Sequence, residues 1–406
     1  MGKNKKILFV DHDFNLSGSV ISMCYLIKDF IKNDYIVYVL TKGNESKTKF
    51  LISCGAIIIP YSQSPFKSIT LSLHISDKTS LFSKNWLKNL IKDTIFFFNG
   101  IILSIKITNS IKPDIIYLNE YVTIHFGLYP KLKSVPILLH IRSLFIDQEF
   151  NLRIFLLKKA IKFIPTYSFA ITEVEAKQIC NSFENKTNIK VIPEFLEEAD
   201  FICPDNIQVI KNNFNISDAT KVVTFLGGIS FIKGSIVFIK SIEYINPIIK
   251  NVKFIIAGKI FNDPNIQSVY SYYNMCNEYL NKPNIQPYVE VLDDIRNIKE
   301  LIAVSDIVIS SSIITHFSRP IIEAWAQRKA VIATDILHSK NLIDHGFDGI
   351  IVKKNEPEEL ADSIKMLLEN EQLNQTIGEN GYLKAKKMFS ADTNSKKILD
   401  YCNNIL

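Results

Sequence analysis

A chain of 406 residues exceeds what one hydrophobic core usually fills and points to two domains of roughly 200 residues each. Hydrophobic residues make up 47% and charged residues 22%, which excludes a largely disordered chain, because enough apolar surface is present to offset the entropy of ordering it. The net charge of +6 belongs to the first half, where residues 1–200 hold 25 Lys and Arg against 18 Asp and Glu. These lysines are scattered among acids without the arginine and aromatic interleaving of a nucleic-acid groove, so no nucleic-acid partner is expected.

The chain opens with lysines and the apolar run Ile7–Val10, which stops at Asp11 and is too short for a signal-peptide core; it reads as a first strand over Lys6–Val10. Further short runs of Ile, Val, Leu and Phe predict strands at Ile36–Leu40, Ala56–Ile59, Asp114–Leu118, Ile137–His140, Phe169–Thr172 and Ile189–Ile192. Amphipathic stretches between them predict helices, notably Gly18–Lys32, Lys84–Asn109 and Leu152–Phe163. Thr94–Ile105, the longest strongly apolar uncharged stretch, is too short to cross a bilayer, so no transmembrane segment is expected. Pro193–Ser217, with two prolines and a Glu-Glu-Ala-Asp run, reads as an interdomain linker.

The pattern then restarts with strands at Val222–Leu226, Phe254–Ala257, Ile285–Val291, Ile307–Ser310, Ala330–Ala333 and Gly349–Val352. Strands of this kind, each followed by a helix, predict an α/β protein with parallel, doubly wound sheets. The expected division is residues 1–200, residues 201–385 and a closing helical segment, 386–406, that packs back on the first domain. Six dispersed cysteines, with no Cys-x-x-Cys pair and no histidine cluster at metal-ligand spacing, read as reduced thiols of a cytoplasmic protein.

Two segments carry the chemistry. In Phe225–Gly234 a strand ends in Gly227-Gly228, and Lys233-Gly234 opens the next helix; bare backbone, a helix N-terminus and an ammonium together suit a bound diphosphate, and equally suit a plain β-α turn. In Ile307–Ala326 a buried strand feeds a polar loop, Pro320 stands at the first helical turn, and Glu323 lies one turn inside among Ile321, Ile322 and Ala324. That carboxylate either accepts from a ribose diol or pairs with Arg319 at i,i+4.

Read together, these segments resemble retaining glycosyltransferase family 4 and its relatives of the GT-B fold, whose two Rossmann-like domains face each other across a cleft. The resemblance spans nearly the whole chain: Lys6–Val10 with Ser17-Gly18-Ser19, Pro113–Asn119, Val135–Arg142, Asp293–Ile307, and His345–Val352 followed by Pro357–Ala361 each have a counterpart. It implies that Lys233 neutralises the donor diphosphate, that Glu323 holds the ribose, and that backbone amides near Pro320, Ile321 and Ile322 meet the phosphates. Gly18 would face the donor from the first domain, and His140 would lie beside the transferred sugar. No metal and no cofactor is implied, since lysine and helix N-termini replace the cation. The chain departs from the family at Gly228, which stands where the family has arginine, and at Thr315, which stands where it has the first glutamate. Arg319 or His316 in the donor loop would then supply the missing charge or hydrogen bond, and Ser318 is a further donor-binding candidate.

His140, at a strand's C-terminal end, reads as a catalytic position or as a satisfied buried side chain. Asn119 and Arg142 are acceptor-side candidates, and Arg142 reads equally as an ion-pair partner of Asp147 or Glu149. Trp86–Ile107 places Trp86, Leu87, Leu90, Ile91, Ile95, Phe98 and Ile102 along one helical stripe beside lysines, which fits either core packing or a peripheral contact with the inner face of a membrane. The resulting expectation is a retaining hexosyltransferase of bacterial surface polysaccharide assembly. It would take a nucleoside diphosphate sugar as donor and a glycan or lipid-linked acceptor. A nucleotide-sugar epimerase or hydrolase of the same fold, or a GT-B protein without catalysis, is the alternative.

Overall fold

The computed structural model describes residues 4–60, 84–145, 152–180, 188–245, 251–293 and 297–406; for 84–90 and 152–153 it describes the backbone alone. The side chains of Trp86, Leu87 and Leu90, and the residues Asp147 and Glu149, therefore lie outside the described residues. The chain divides into two compact units, Met1–Phe195 with Ala391–Leu406, and Leu196–Ser390.

In unit 1, seven strands form one parallel sheet: β1 (Lys6–Val10), β2 (Ile36–Thr41), β3 (Ile57–Pro60), β4 (Ile115–Leu118), β5 (Ile137–Ile141), β6 (Tyr167–Ala170) and β7 (Ile189–Val191). Their order is β3-β2-β1-β4-β5-β6-β7. Helices α1 (Gly18–Lys32), α2 (Glu45–Ser53), α3 (Lys84–Ile111), α4 (Leu128–Leu132), α5 (Leu152–Phe163) and α6 (Glu173–Ile179) fill the crossovers, and a 3-10 helix covers Tyr121–Gly127. Side chains alternate along each strand, so Leu8, Val10, Ile116, Leu118 and Leu139 face one core, with α3, α5 and α6. Ile7, Phe9, Ile115, Tyr117 and Leu138 face the other, with α1.

Unit 2 repeats the plan with six parallel strands, β8 (Lys221–Phe225), β9 (Val252–Ala257), β10 (Val289–Leu292), β11 (Ile307–Ser310), β12 (Ala330–Thr334) and β13 (Ile350–Val352), in the order β10-β9-β8-β11-β12-β13. Its helices are α7 (Ile207–Asn213), α8 (Ser235–Ile245), α9 (Gln267–Leu280), α10 (Ile298–Val304), α11 (Arg319–Ala326), α12 (Leu337–Leu342), α13 (Pro357–Glu369) and α14 (Glu371–Phe389). The last helix, α15 (Ala391–Ile405), belongs to unit 1, where Ala391, Ile398, Leu399 and Cys402 complete the core against α1.

Three sequence expectations are modified. The chain passes between units at Phe195–Leu196, and the segment read as a linker holds a 3-10 turn and α7, both part of unit 2; Gln327 donates to the carbonyls of Asp200 and Ile202, and Ile210 and Ile216 enter a buried cluster. Strand β10 starts at Val289 rather than Ile285, because Pro287 has no amide for the ladder and Gln286–Tyr288 forms a 3-10 turn instead. Helix α3 carries its apolar character beyond Thr94–Ile105, and Ile91–Ile111, 21 residues, is by length and composition long and apolar enough to cross a membrane.

Candidate functional site

Both sheets reverse their winding between a first and a fourth strand, β1 and β4 in unit 1 and β8 and β11 in unit 2. Loops beyond the carboxyl ends of such strands diverge and leave room for a ligand. In unit 2 the two loops at that point are the two segments singled out in the sequence.

The loop after β8 is built on backbone contact. Gly228 adopts φ +58, and a Cβ there would lie 2.1 Å from the carbonyl oxygen of Lys259. Gly258, at φ +121, packs against Gly228 in return. A side chain at position 228, such as the arginine of the family the sequence resembles, has no room here, because the loop after β9 occupies the space it would need. Gly227 is bare against the Phe225 ring and the Cβ of Lys233, and Gly234, at φ +69, would drive a Cβ to 2.0 Å from the Ser311 carbonyl. Ser311 Oγ donates to the Gly234 carbonyl at 3.1 Å, and the Ile313 amide donates to Ile232 at 3.1 Å. The two loops are thus stitched together.

This stitching brings Lys233 against His316, Nζ to Nε2 at 2.5 Å. His316 Nδ1 lies 2.8 Å from the Ile314 carbonyl, which can only accept, so Nδ1 carries the proton and Nε2 offers its lone pair to the ammonium. Burial, then the neighbouring Lys233 charge, lowers His316 to about 3, so the ring is neutral. Burial also lowers Lys233 to about 8. Thr315 is half-buried beside this pair. Ser318 is buried and shares a 2.8 Å hydrogen bond with Ser310, which leaves its oxygen unused as a cap for α11.

On α11, Glu323 accepts from Arg319 Nε at 2.7 Å, the i,i+4 pair the spacing allows; the carboxylate side chain keeps 22% of its surface exposed. Pro320 brings no amide, the Ile321 amide is closed on the Ser318 carbonyl at 3.1 Å, and the side chains of Ile321 and Ile322 are buried. These three residues anchor the helix. A separate cavity of about 150 Å³, lined by Lys221, Asp306 and Arg328, lies by the opposite, N-terminal ends of β8 and β11.

In unit 1 the C-terminal ends of β1, β4 and β5 carry a buried polar network of which the sequence indicated only parts. His140 is fully buried; its Nδ1 accepts from Tyr117 OH at 2.6 Å and from Arg142 Nη2 at 3.1 Å. Arginine only donates, so in the neutral ring the proton sits on Nε2, and Nε2 has no partner among the described residues. Burial and then Arg142 hold the His140 pKa well below its ordinary value. Arg142 is itself paired with Glu194, which also accepts from Ser22, so its charge is already neutralised within unit 1. Asn119 is buried and donates to Asp11 at 3.2 Å. Gly18 opens α1 behind the Ser17 cap.

Sequence reasoning did not single out Glu194, Tyr117, Glu120 or Lys47. Glu120 follows β4, accepts from the Tyr121 amide at 2.9 Å and Ser143 Oγ at 2.8 Å, and burial pushes it up to about 7. Asp11, His12 and Asp13 lie close enough to hold a metal ion among them. The Lys47 ammonium, buried against Asp11, the Asp13 carbonyl and Thr41, already fills the cation's place beside Asp11.

Residues 206–384, most of unit 2, match the family described as Glycosyl transferases group 1. The capsular polysaccharide biosynthesis glycosyltransferase CapM of Staphylococcus aureus is 24% identical over 62% of this chain and 65% of its own length. An uncharacterized glycosyltransferase of Methanocaldococcus jannaschii is 37% identical over 18% of this chain and 20% of its own length. The chain thus spans less than two thirds of the length of each of these curated relatives. Among solved structures, Anabaena HepE in complex with UDP and glucose superposes with a TM-score of 0.77 at 17% identity, covering 98% of this chain and 99% of that one. A glycosyltransferase from Rickettsia africae does so with a TM-score of 0.73 at 19% identity, covering 100% and 99%. Residues 206–384 are a glycosyltransferase domain, set in a chain with the GT-B fold.

Proposed function

We propose that this chain is a retaining hexosyltransferase that moves a sugar from a nucleoside diphosphate donor to a hydroxyl of a glycan or lipid-linked acceptor in bacterial surface polysaccharide assembly. The observation that carries the reading is the pair of stitched loops at the unit 2 switch point, which hold the Lys233 ammonium on a neutral histidine beside the start of α11. The UDP and glucose bound to HepE favour a uridine diphosphate sugar as donor, and the capsular polysaccharide relative favours the polysaccharide setting.

In this reading Lys233 neutralises the diphosphate as it leaves, which is where negative charge grows in the transition state. His316 keeps the ammonium aimed while no donor is bound, and gives it up when phosphate oxygens replace its lone pair. The charge needed at the diphosphate is assigned to Lys233 rather than to a divalent cation or another cofactor. Glu323 accepts from the ribose hydroxyls, and Arg319 orients it. In unit 1, taken by itself, the His140 Nε2–H that has no partner among the described residues is assigned to a sugar hydroxyl. Glycosyl transfer with retention then proceeds by entry of the acceptor hydroxyl on the side the diphosphate leaves.

The test is a titration of the full chain with uridine and guanosine diphosphate sugars, followed by product analysis with acceptor glycans. A bound donor raises the unfolding temperature by mass action. Lys233→Ala is expected to weaken donor binding at least tenfold, the loss of a charge-assisted contact of about 1.5–3 kcal/mol. Donor affinity unchanged in both Lys233→Ala and Glu323→Ala would overturn the reading. Release of free sugar without transfer would favour a hydrolase.

A further inference from the structure

Helix α3 exposes Ile91, Ile95, Phe98, Ile102 and Ile105, between 38% and 59% of each, at successive spacings of four and three residues. Its opposite side is buried through Leu103, Ile107 and Ile111. The helix therefore has two apolar faces, and packing accounts for one. In the same layer of unit 1, with the 3-10 helix between it and α3, α5 buries Leu157 and Ile161 in the same core and exposes Phe155, Leu156 and Phe163, the last at 66%. Leu132, at the end of α4, is 83% exposed.

The charges of this layer are one-sided. Across the described side chains of α3, α4 and α5, with the turn joining α4 to β5, the basic groups are Lys92, Lys106, Lys131, Lys133, Lys158, Lys159 and Lys162. The sole acid among them is Asp93, which is buried. The layer's exposed acid, Glu173, stands on α6 and is paired with Lys177. On the other side of the sheet α1, α2 and α15 mix both signs, with Asp29, Glu45, Asp392 and Asp400 among their lysines. Lys159 Nζ and Lys92 Nζ fold back over the rings of Phe155 and Phe96, each at 5.5 Å, which keeps ammonium groups level with the apolar side chains.

We infer that this face of unit 1 docks on an anionic lipid surface, with the α3 and α5 apolar side chains entering the headgroup boundary and the lysines meeting lipid phosphates. Exposed apolar side chains rimmed by ammonium groups of one sign match the two attractions that hold an interfacial helix, burial of hydrocarbon and pairing with anionic headgroups. A second copy of this chain would bring the same lysines against each other and is disfavoured by that repulsion. Although Ile91–Ile111 is long enough to span a bilayer, its inward side chains are held in the unit 1 core, so α3 lies along the surface. The inference rests on unit 1 alone and not on the transfer reaction.

The experiment is co-sedimentation of the full chain with vesicles of phosphatidylcholine alone and of phosphatidylcholine with 30% phosphatidylglycerol (roughly physiological anionic content). Binding is expected to the second at least about tenfold more tightly, and to weaken with salt. Ile95→Glu with Phe98→Glu should abolish it, while Lys158→Glu with Lys159→Glu should remove the preference for anionic vesicles. Circular dichroism and urea unfolding report whether each variant folds. Equal binding to both vesicles, no binding to either, or a dimer in light scattering that the Ile95 and Phe98 changes disperse, would each overturn the inference.

Discussion

Lys233 is held charged by solvent it barely meets and by one lone pair. Burial lowers it to about 8 from an ordinary 10.5, so the free protein loses this proton well before an unfolded chain would. An anionic donor favours the charged form. Donor affinity is therefore expected to be level below about pH 8 and to fall up to tenfold per pH unit above it, with proton uptake on binding near pH 8.5, both read by calorimetry in buffers of differing ionisation heat. Affinity that stays level to pH 9.5 would remove Lys233 from the diphosphate. His316→Ala, which deletes the acceptor for Nζ, is expected to weaken donor binding several-fold, and His316→Gln, which restores an acceptor, to recover part of it.

Glu120 has the opposite sense. Burial raises it from 4.5 to about 7, so between those values the folded chain holds the proton more tightly than the unfolded one, and its contribution to stability declines as pH rises through that window. Glu120→Gln should gain on the parent by up to about 2–3 kcal/mol between pH 4.5 and pH 7.5, measured as the change in the difference of their urea midpoints. A difference that does not move with pH would mean that water reaches this carboxyl.

The strands were legible element by element because a strand buried on both faces needs a continuous apolar run, and in both units such runs lie between polar turns. Helix crossings were not legible, since they depend on which small residue meets which large one. The α11–α14 crossing is an example: Gly381 on α14 sits where a Cβ would come within 2.2 Å of the buried Trp325 ring, whose Nε1 donates to the Asp348 carbonyl at 2.8 Å. Gly381→Ala is expected to cost about 1–3 kcal/mol by overpacking, despite alanine's better helix propensity, with a matching drop in unfolding temperature. Because α11 carries Arg319 and Glu323, donor affinity should fall with it.

At the scale of the whole molecule, the sequence showed two α/β units and a helical end, and also the residue types at the unit 2 switch point. It did not show the polar partners in unit 1, because Arg142 meets Glu194 across 52 positions and Lys47 meets Asp11 across 36, and no local pattern marks such pairs. It also left the partner of Arg142 open between two nearer acids, a reasonable inference from proximity in the chain that the fold does not follow. Removing α15 by a stop after Ser390 should uncover the core formed by Ile7, Phe9, Val20 and Ile398. Unit 1 is then expected to become protease-sensitive while a donor still protects unit 2, and equal loss of both units would show that they fold as one.

The mutual approach of Gly228 and Gly258 has a consequence for how this chain can change. An arginine at position 228 is not accommodated by that substitution alone, since the neighbouring turn at Gly258-Lys259 must retreat to admit a side chain. Any further positive group at this site would have to come from another position, because the atoms that crowd position 228 are backbone atoms and changing the Gly258 side chain does not remove them.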